Sequence, residues 1–100
     1  NKLKAYELLL MIKPNIDSEE VQNIVNKISD SVANLGGKVI DTDLNGRKKL
    51  AYDIDNFRDA YQVIVKLELE GSKISEFNRQ LRLNDNVLRM MFMELSKVKA

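Results

Sequence analysis

The chain has no cysteine and no histidine. Without cysteine there are no disulfides, no thiolate metal sites and no thiol redox chemistry. Without histidine, the commonest general base and the commonest metal ligand are missing, and triad-type nucleophilic catalysis loses its usual proton carrier. A glycine-rich phosphate loop is also absent. The longest apolar run, Leu8 to Ile12, is far too short to cross a bilayer. The opening residues Asn1-Lys2-Leu3-Lys4 lack the apolar region of a signal peptide, so a cytoplasmic location is the expectation. An excess of one charge is lacking as well: 16 basic residues stand against 15 acidic ones, a net charge of +1. A protein that held nucleic acid by electrostatics alone would be strongly basic. If this chain binds RNA, its cations must be segregated and something else must add affinity. A second protein is the simplest addition.

What is present describes one soluble domain. One hundred residues, 44% hydrophobic and 31% charged, suffice for a core without a disulfide or metal staple. Residues 1–100 read as a single unit, with 96–100 as a frayed tail. No internal repeat or linker interrupts it.

Lys4 to Ile12 reads as a strand with Tyr6, Leu8, Leu10 and Ile12 on one face. Leu9 and Met11 make the other face partly apolar too, which predicts a central strand. Pro14 and Asn15 end it. Asp17 and Glu20 form a capping box. Val21, Ile24, Val25, Ile28, Val32 and Leu35 follow as one helical stripe, closed by Gly36-Gly37. Lys38 to Leu44 is a second strand with apolar members Val39 and Ile40, ended by an Asn45-Gly46 turn.

The basic triplet Arg47, Lys48 and Lys49 is then expected in a loop. A cluster this dense suits phosphates better than it suits stability; it also fits a solvated turn beside an ordinary strand. Leu50, Tyr52 and Ile54 alternate as the buried face of a short extended return, with Tyr52 favoured as a buried aromatic. Asp53 to Asp59 reads as a loop. Ala60 to Leu69 is the third strand, with Tyr61, Val63, Val65, Leu67 and Leu69 opposite Gln62, Ile64, Lys66 and Glu68. Gly71-Ser72 offers a helix cap, and Ile74, Phe77 and Leu81 make a shorter stripe. Asn84-Asp85-Asn86 is a turn. Val87 to Leu95 is the fourth strand.

The order βαββαβ predicts an α+β, ferredoxin-like fold: a four-stranded antiparallel sheet with two helices on one face and the first and third strands central. If Tyr6, Leu8 and Leu10 face the helices, the open face carries Leu9, Met11, Ile64, Met91 and Met93 beside Glu7, Lys66 and Arg89. That apolar area is large for a lone monomer, and methionine suits adaptable binding surfaces. A protein partner, a second copy of the chain, or the chain's own tail would each cover it. Exposed aromatics are not expected there, which argues against RNA stacking across the sheet.

Several of these segments carry a resemblance. Tyr6-Glu7, Lys13-Pro14-Asn15 with Asp17, the glycine pair before Val39, Gly46 to Ile54 with Leu50-Ala51-Tyr52 as its most specific piece, Leu81-Arg82, and Asp85-Asn86-Val87 with Arg89 resemble the bacterial small-subunit ribosomal protein six family in register over nearly the whole length. The resemblance implies a ferredoxin-like fold and a structural, non-enzymatic role in the cytoplasm, within the ribosome. Such proteins bind the central domain of 16S ribosomal RNA cooperatively with ribosomal protein eighteen during subunit assembly and translation. It implies no cofactor, metal, membrane or small-molecule substrate. On this reading Lys2, Lys4, Arg47, Lys48, Lys49, Arg82 and Arg89 contact RNA, and Leu9, Met11, Ile64, Met91 and Met93 face the protein partner. Leu88 stands where an arginine is common, so that corner is less basic. Asp53 and Asp55 flank Ile54 where members often have proline or basic residues, which argues against phosphate contact there.

Two other classes of function compete. An enzyme would need an anion cradle and a poised base; Asp41 and Asp43 share a strand face but are a weak cation signal. A ligand-sensing domain would dimerise through the open sheet face.

Overall fold

The computed structural model describes residues 3–54 and 56–95. Lys2, Asp55 and the tail expected to fray lie outside the described residues. The elements are β1 (Leu3–Ile12), α1 (Ser18–Asn34), β2 (Lys38–Ile54), β3 (Phe57–Glu70), a 3₁₀ turn at Gly71–Lys73, α2 (Ile74–Arg82) and β4 (Val87–Glu94). The strands form one antiparallel sheet in the order β2-β3-β1-β4, with the first and third at the centre as expected.

The alternation in β1 decides which side is inside. Tyr6, Leu8, Leu10 and Ile12 are buried, and their β3 neighbours Leu67, Val65 and Val63 are buried on the same side. The α1 stripe Val21, Ile24, Val25, Ile28 and Val32 packs there with Phe77 and Leu81 of α2. Each fully buried side chain of this kind stabilises the fold by about 1.5–3 kcal/mol. Phe92 of β4 meets the rings of Phe77 and Tyr6 edge-on, at centroid distances of 5.8 and 6.2 Å. Among the described residues no polar side chain is buried.

The ends of α1 follow their local chemistry. The Glu20 backbone N–H donates to Asp17 Oδ1 at 2.9 Å, capping the first turn. At the other end the Gly37 N–H donates to Val32 O and the Gly36 N–H to Ala33 O, the paired bonds of a Schellman motif. Gly37 then passes so close to β3 that a Cβ there would lie 2.2 Å from Glu68 O. Gly37 thus also seats the end of α1 against the sheet.

The second half of the β2–β3 hairpin departs from expectation. Asn45-Gly46 does not end a strand. Gly46 has φ +74 and sits where the register shifts, Leu44 facing Val63 and Arg47 facing Tyr61. Two β2 residues, Asn45 and Gly46, thus oppose one on β3, Gln62, a bulge with glycine in the left-handed region. The chain then stays extended to Ile54, so the basic triplet lies on a strand and not in a loop. The loop expected over Asp53 to Asp59 shrinks to a tight connection at Asn56, φ +71, a conformation asparagine tolerates. Ile40, expected as an apolar strand member, falls in a second register shift and is exposed, while Val39 packs on the core. Ser72 does not cap α2; its hydroxyl bonds Glu70 Oε1 at 3.3 Å.

Gly37→Ala is expected to destabilise the fold by about 1–3 kcal/mol, the usual cost of overpacking, because the obstructing atom belongs to the β3 backbone. Urea unfolding measures this directly; an unchanged midpoint would show that α1 and β3 separate easily.

Candidate functional site

The open side of the sheet is organised in rows, because paired residues share a face. One row runs Asp43, Ile64, Leu9, Met91 across all four strands. The next runs Asp41, Lys66, Glu7, Met93, and on the other side Gln62, Met11 and Arg89 align. The five residues expected at a partner surface therefore lie together. Met91 and Met93 are half exposed, at 52% and 50%; Leu9, Met11 and Ile64 are partly covered by their neighbours. The apolar strip is acidic at its β2 end, where Asp41 and Asp43 stand, and basic at its β4 end, where Arg89 stands.

The cations do not form one patch. Lys4 pairs with Glu94 at 3.7 Å, at the end of β1 about 23 Å along the strand from the row of Arg89. Arg47 bonds Asp59 at 3.1 Å across the hairpin. Successive strand residues face opposite sides, so the triplet is divided. Arg47 and Lys49 oppose Tyr61 and Asp59, whereas Lys48 opposes Ala60 on the side of the open face. Among the described residues Lys48, Lys49, Arg82 and Arg89 have no carboxylate within ion-pair distance.

Arg82 and Arg89 do come together. Arg82 ends α2, Arg89 lies on β4, and both line a shallow groove of about 280 Å³ with Val87, Leu88 and Met90. Tyr52 joins them. Its ring lies under the Arg89 guanidinium, 5.7 Å from Cζ to the ring centroid, and the residue is 61% exposed. The expectation of a buried Tyr52 is therefore wrong. Residues beyond two register shifts do not keep the facing that a simple alternation assigns, and here the distal β2 arm carries its aromatic outward.

With this geometry in place, the comparison with known proteins is decisive. The family model described as ribosomal protein S6 matches residues 5–94. The chain belongs to the ribosomal protein S6 family. Small ribosomal subunit protein bS6 of Micrococcus luteus is 37% identical over 87 residues, 87% of this chain and 86% of that one. The bS6 protein of Shouchella clausii is 30% identical over 89 residues, covering 89% and 94%. The crystal structure of ribosomal protein S6 from Thermotoga maritima matches with a TM-score of 0.87 at 23% identity, covering 93% of this chain and 88% of that one. This confirms the ferredoxin-like fold. A chain from a Thermotoga maritima complex of the chemotaxis kinase CheA P2 domain with CheY matches at a TM-score of 0.59 and 13% identity, covering 94% and 100%. Fold alone therefore does not separate the functions; membership of the S6 family does.

Other surfaces of this S6-family chain offer less chemistry. The larger groove, about 580 Å³, runs between α1 and the α2–β4 connection and is lined by Ile24, Ile28, Leu81 and Val87 with a polar rim. Among the described residues no three metal-ligating side chains converge, and no helix is long and apolar enough to cross a membrane. On α2, Arg79 Nη2 and Nε donate to the Glu76 carboxylate at 2.5 and 3.0 Å, and Gln80 adds a third bond at 3.0 Å. Those bonds, that of Arg79 first, hold the Glu76 carboxyl down at about 2, and the Arg79 guanidinium is raised in turn. The Arg79 charge is thus already satisfied.

A depressed carboxyl stabilises the fold above its unfolded value and loses that contribution as pH falls through its folded one. Glu76→Gln is therefore expected to lower the melting temperature slightly at pH 7. The gap to the parent should narrow from about pH 4.5 downward and close below about pH 2. A gap that does not depend on pH would mean that the Glu76–Arg79 pair contributes nothing.

Proposed function

We propose that this chain is a structural, non-enzymatic component of the bacterial small ribosomal subunit, located with it in the cytoplasm. It binds the central domain of 16S ribosomal RNA cooperatively with ribosomal protein eighteen during assembly, and stays bound in translation. The observation that carries this reading is the S6 family match across residues 5–94, which takes in every element of the fold.

The surface chemistry supports the division of labour. Ile64, Leu9 and Met91 with Met11 and Met93 offer an apolar strip to a protein, and Asp41 and Asp43 at its end favour a partner with basic side chains there. Of the described residues expected to contact RNA, Lys48, Lys49, Arg82 and Arg89 have no carboxylate within ion-pair distance and can meet phosphate, which fixes position without reading much sequence. Lys4 and Arg47 contribute less, because each already faces a carboxylate.

Replacing Arg47, Lys48 and Lys49 together with alanine should weaken RNA binding by the complex. It should also flatten the dependence of log affinity on log salt by roughly 0.7 to 0.9 per lost phosphate contact. Lys48→Ala alone should account for more of that change than Arg47→Ala. A slope that is unchanged in the triple variant would place the β2 arm away from RNA.

A further inference from the structure

We propose that Tyr52 and Arg89 form a stacking platform for one unpaired RNA base, with Arg82 and Arg89 gripping the phosphate beside it. The inference rests on the RNA-binding reading above and gives it a ligand subsite.

Tyr52 is unlike the chain's other aromatics. Of three tyrosines and three phenylalanines, it alone is exposed. Tyr6 and Phe77 are in the core, Phe92 packs against it, and the Tyr61 hydroxyl donates to Ile16 O at 3.3 Å. A large ring kept out of the core forgoes burial that the other aromatics obtain. The position is built by the backbone. Tyr52 is on β2 and Arg89 on β4, opposite edges of the sheet with β3 and β1 between them. Ring and guanidinium meet because the hairpin arm carries Tyr52 towards the far edge, past the bulge at Gly46 and within the register shift between Lys49 and Ile54.

The chemistry of the pair favours a base. A cation over one face of a ring draws electron density towards it and leaves the opposite face less repulsive to a second π system. Any base can stack there, since every base presents a π face. Arg89 and Arg82 have no acidic partner among the described residues, and Arg89 belongs to both the ring contact and the groove it lines with Arg82. Aromatic surface beside two free guanidinium groups matches a nucleotide, which offers a base and a phosphate a few ångströms apart. A solely structural cation–π contact would need the ring and Arg89 only, and would leave RNA binding unmoved.

The test uses the full chain with its protein partner and a central-domain ribosomal RNA fragment at fixed salt, with urea midpoints confirming that each variant folds. Tyr52→Ala should weaken binding on the order of tenfold or more, the size of one lost base stack, with an unchanged salt slope. Tyr52→Phe should bind within about twofold of the parent, because the ring remains. Arg89→Ala should lower both affinity and slope. In a scan of abasic substitutions at unpaired positions, one RNA should bind the parent chain as weakly as Tyr52→Ala binds intact RNA, and Tyr52→Ala should lose nothing more on that RNA. The platform is overturned if Tyr52→Ala binds like the parent, if Tyr52→Phe is as weak as Tyr52→Ala, or if every abasic RNA is equally sensitive to the alanine change. Those results leave the RNA-binding reading standing. Failure of the parent chain and partner to bind the fragment at all would remove both.

Discussion

The register of β1 between β3 and β4 is the constraint on which everything else in this molecule depends. β1 is apolar on both faces, so its sequence alone permits either side to be inside. Its pairing settles the matter: Leu8 and Leu10 lie beside Val65 and Val63 under the helices, while Leu9 and Met11 lie beside Ile64 and Gln62 on the open side. A slip of one residue would exchange the two sets, burying Glu7 and exposing Leu8. The edge-on packing of Phe77 and Phe92 and the absence of buried polar side chains among the described residues are consistent with that one choice.

The open face is the consequence on which the proposed function rests. A sheet covered on both sides would have no room for a partner, and one with a polar open side would have no reason to recruit one. Here the strip from Ile64 through Leu9 to Met91 keeps apolar area in water, between acidic residues on β2 and Arg89 on β4. The cations are held apart on the hairpin arm and at the β4 corner. A net charge of +1 therefore conceals local positive surfaces.

Much of this was legible in the chain itself, for local reasons. α1 announced its start through Asp17 and Glu20 and its end through Gly36-Gly37. The alternation in β1, β3 and β4 gave the two sheet faces, and the motifs around Leu50-Ala51-Tyr52 and Asp85-Asn86-Val87 pointed to the family. The β2–β3 arm was not legible. Asn-Gly suits a tight turn and a bulge for the same reason, a positive φ, and only pairing with β3 tells them apart. Once the register shifts, alternation no longer assigns faces, so Tyr52 read as buried when it is exposed. Nor did the sequence show that Arg47 and Lys4 spend their charge on Asp59 and Glu94, since those partners are distant along the chain.

If the open face and the dispersed cations are two halves of one binding event, as proposed, the RNA affinity of the chain with and without ribosomal protein eighteen, at one near-physiological salt concentration, tests it most directly. Alone, the chain should bind ribosomal RNA no better than non-specifically, with a Kd of roughly 10⁻⁴ to 10⁻⁶ M. With its companion the affinity should rise by orders of magnitude, and Met91→Asp should remove that gain while the chain stays folded. Tight binding by the isolated chain, unchanged by the companion, would contradict the account.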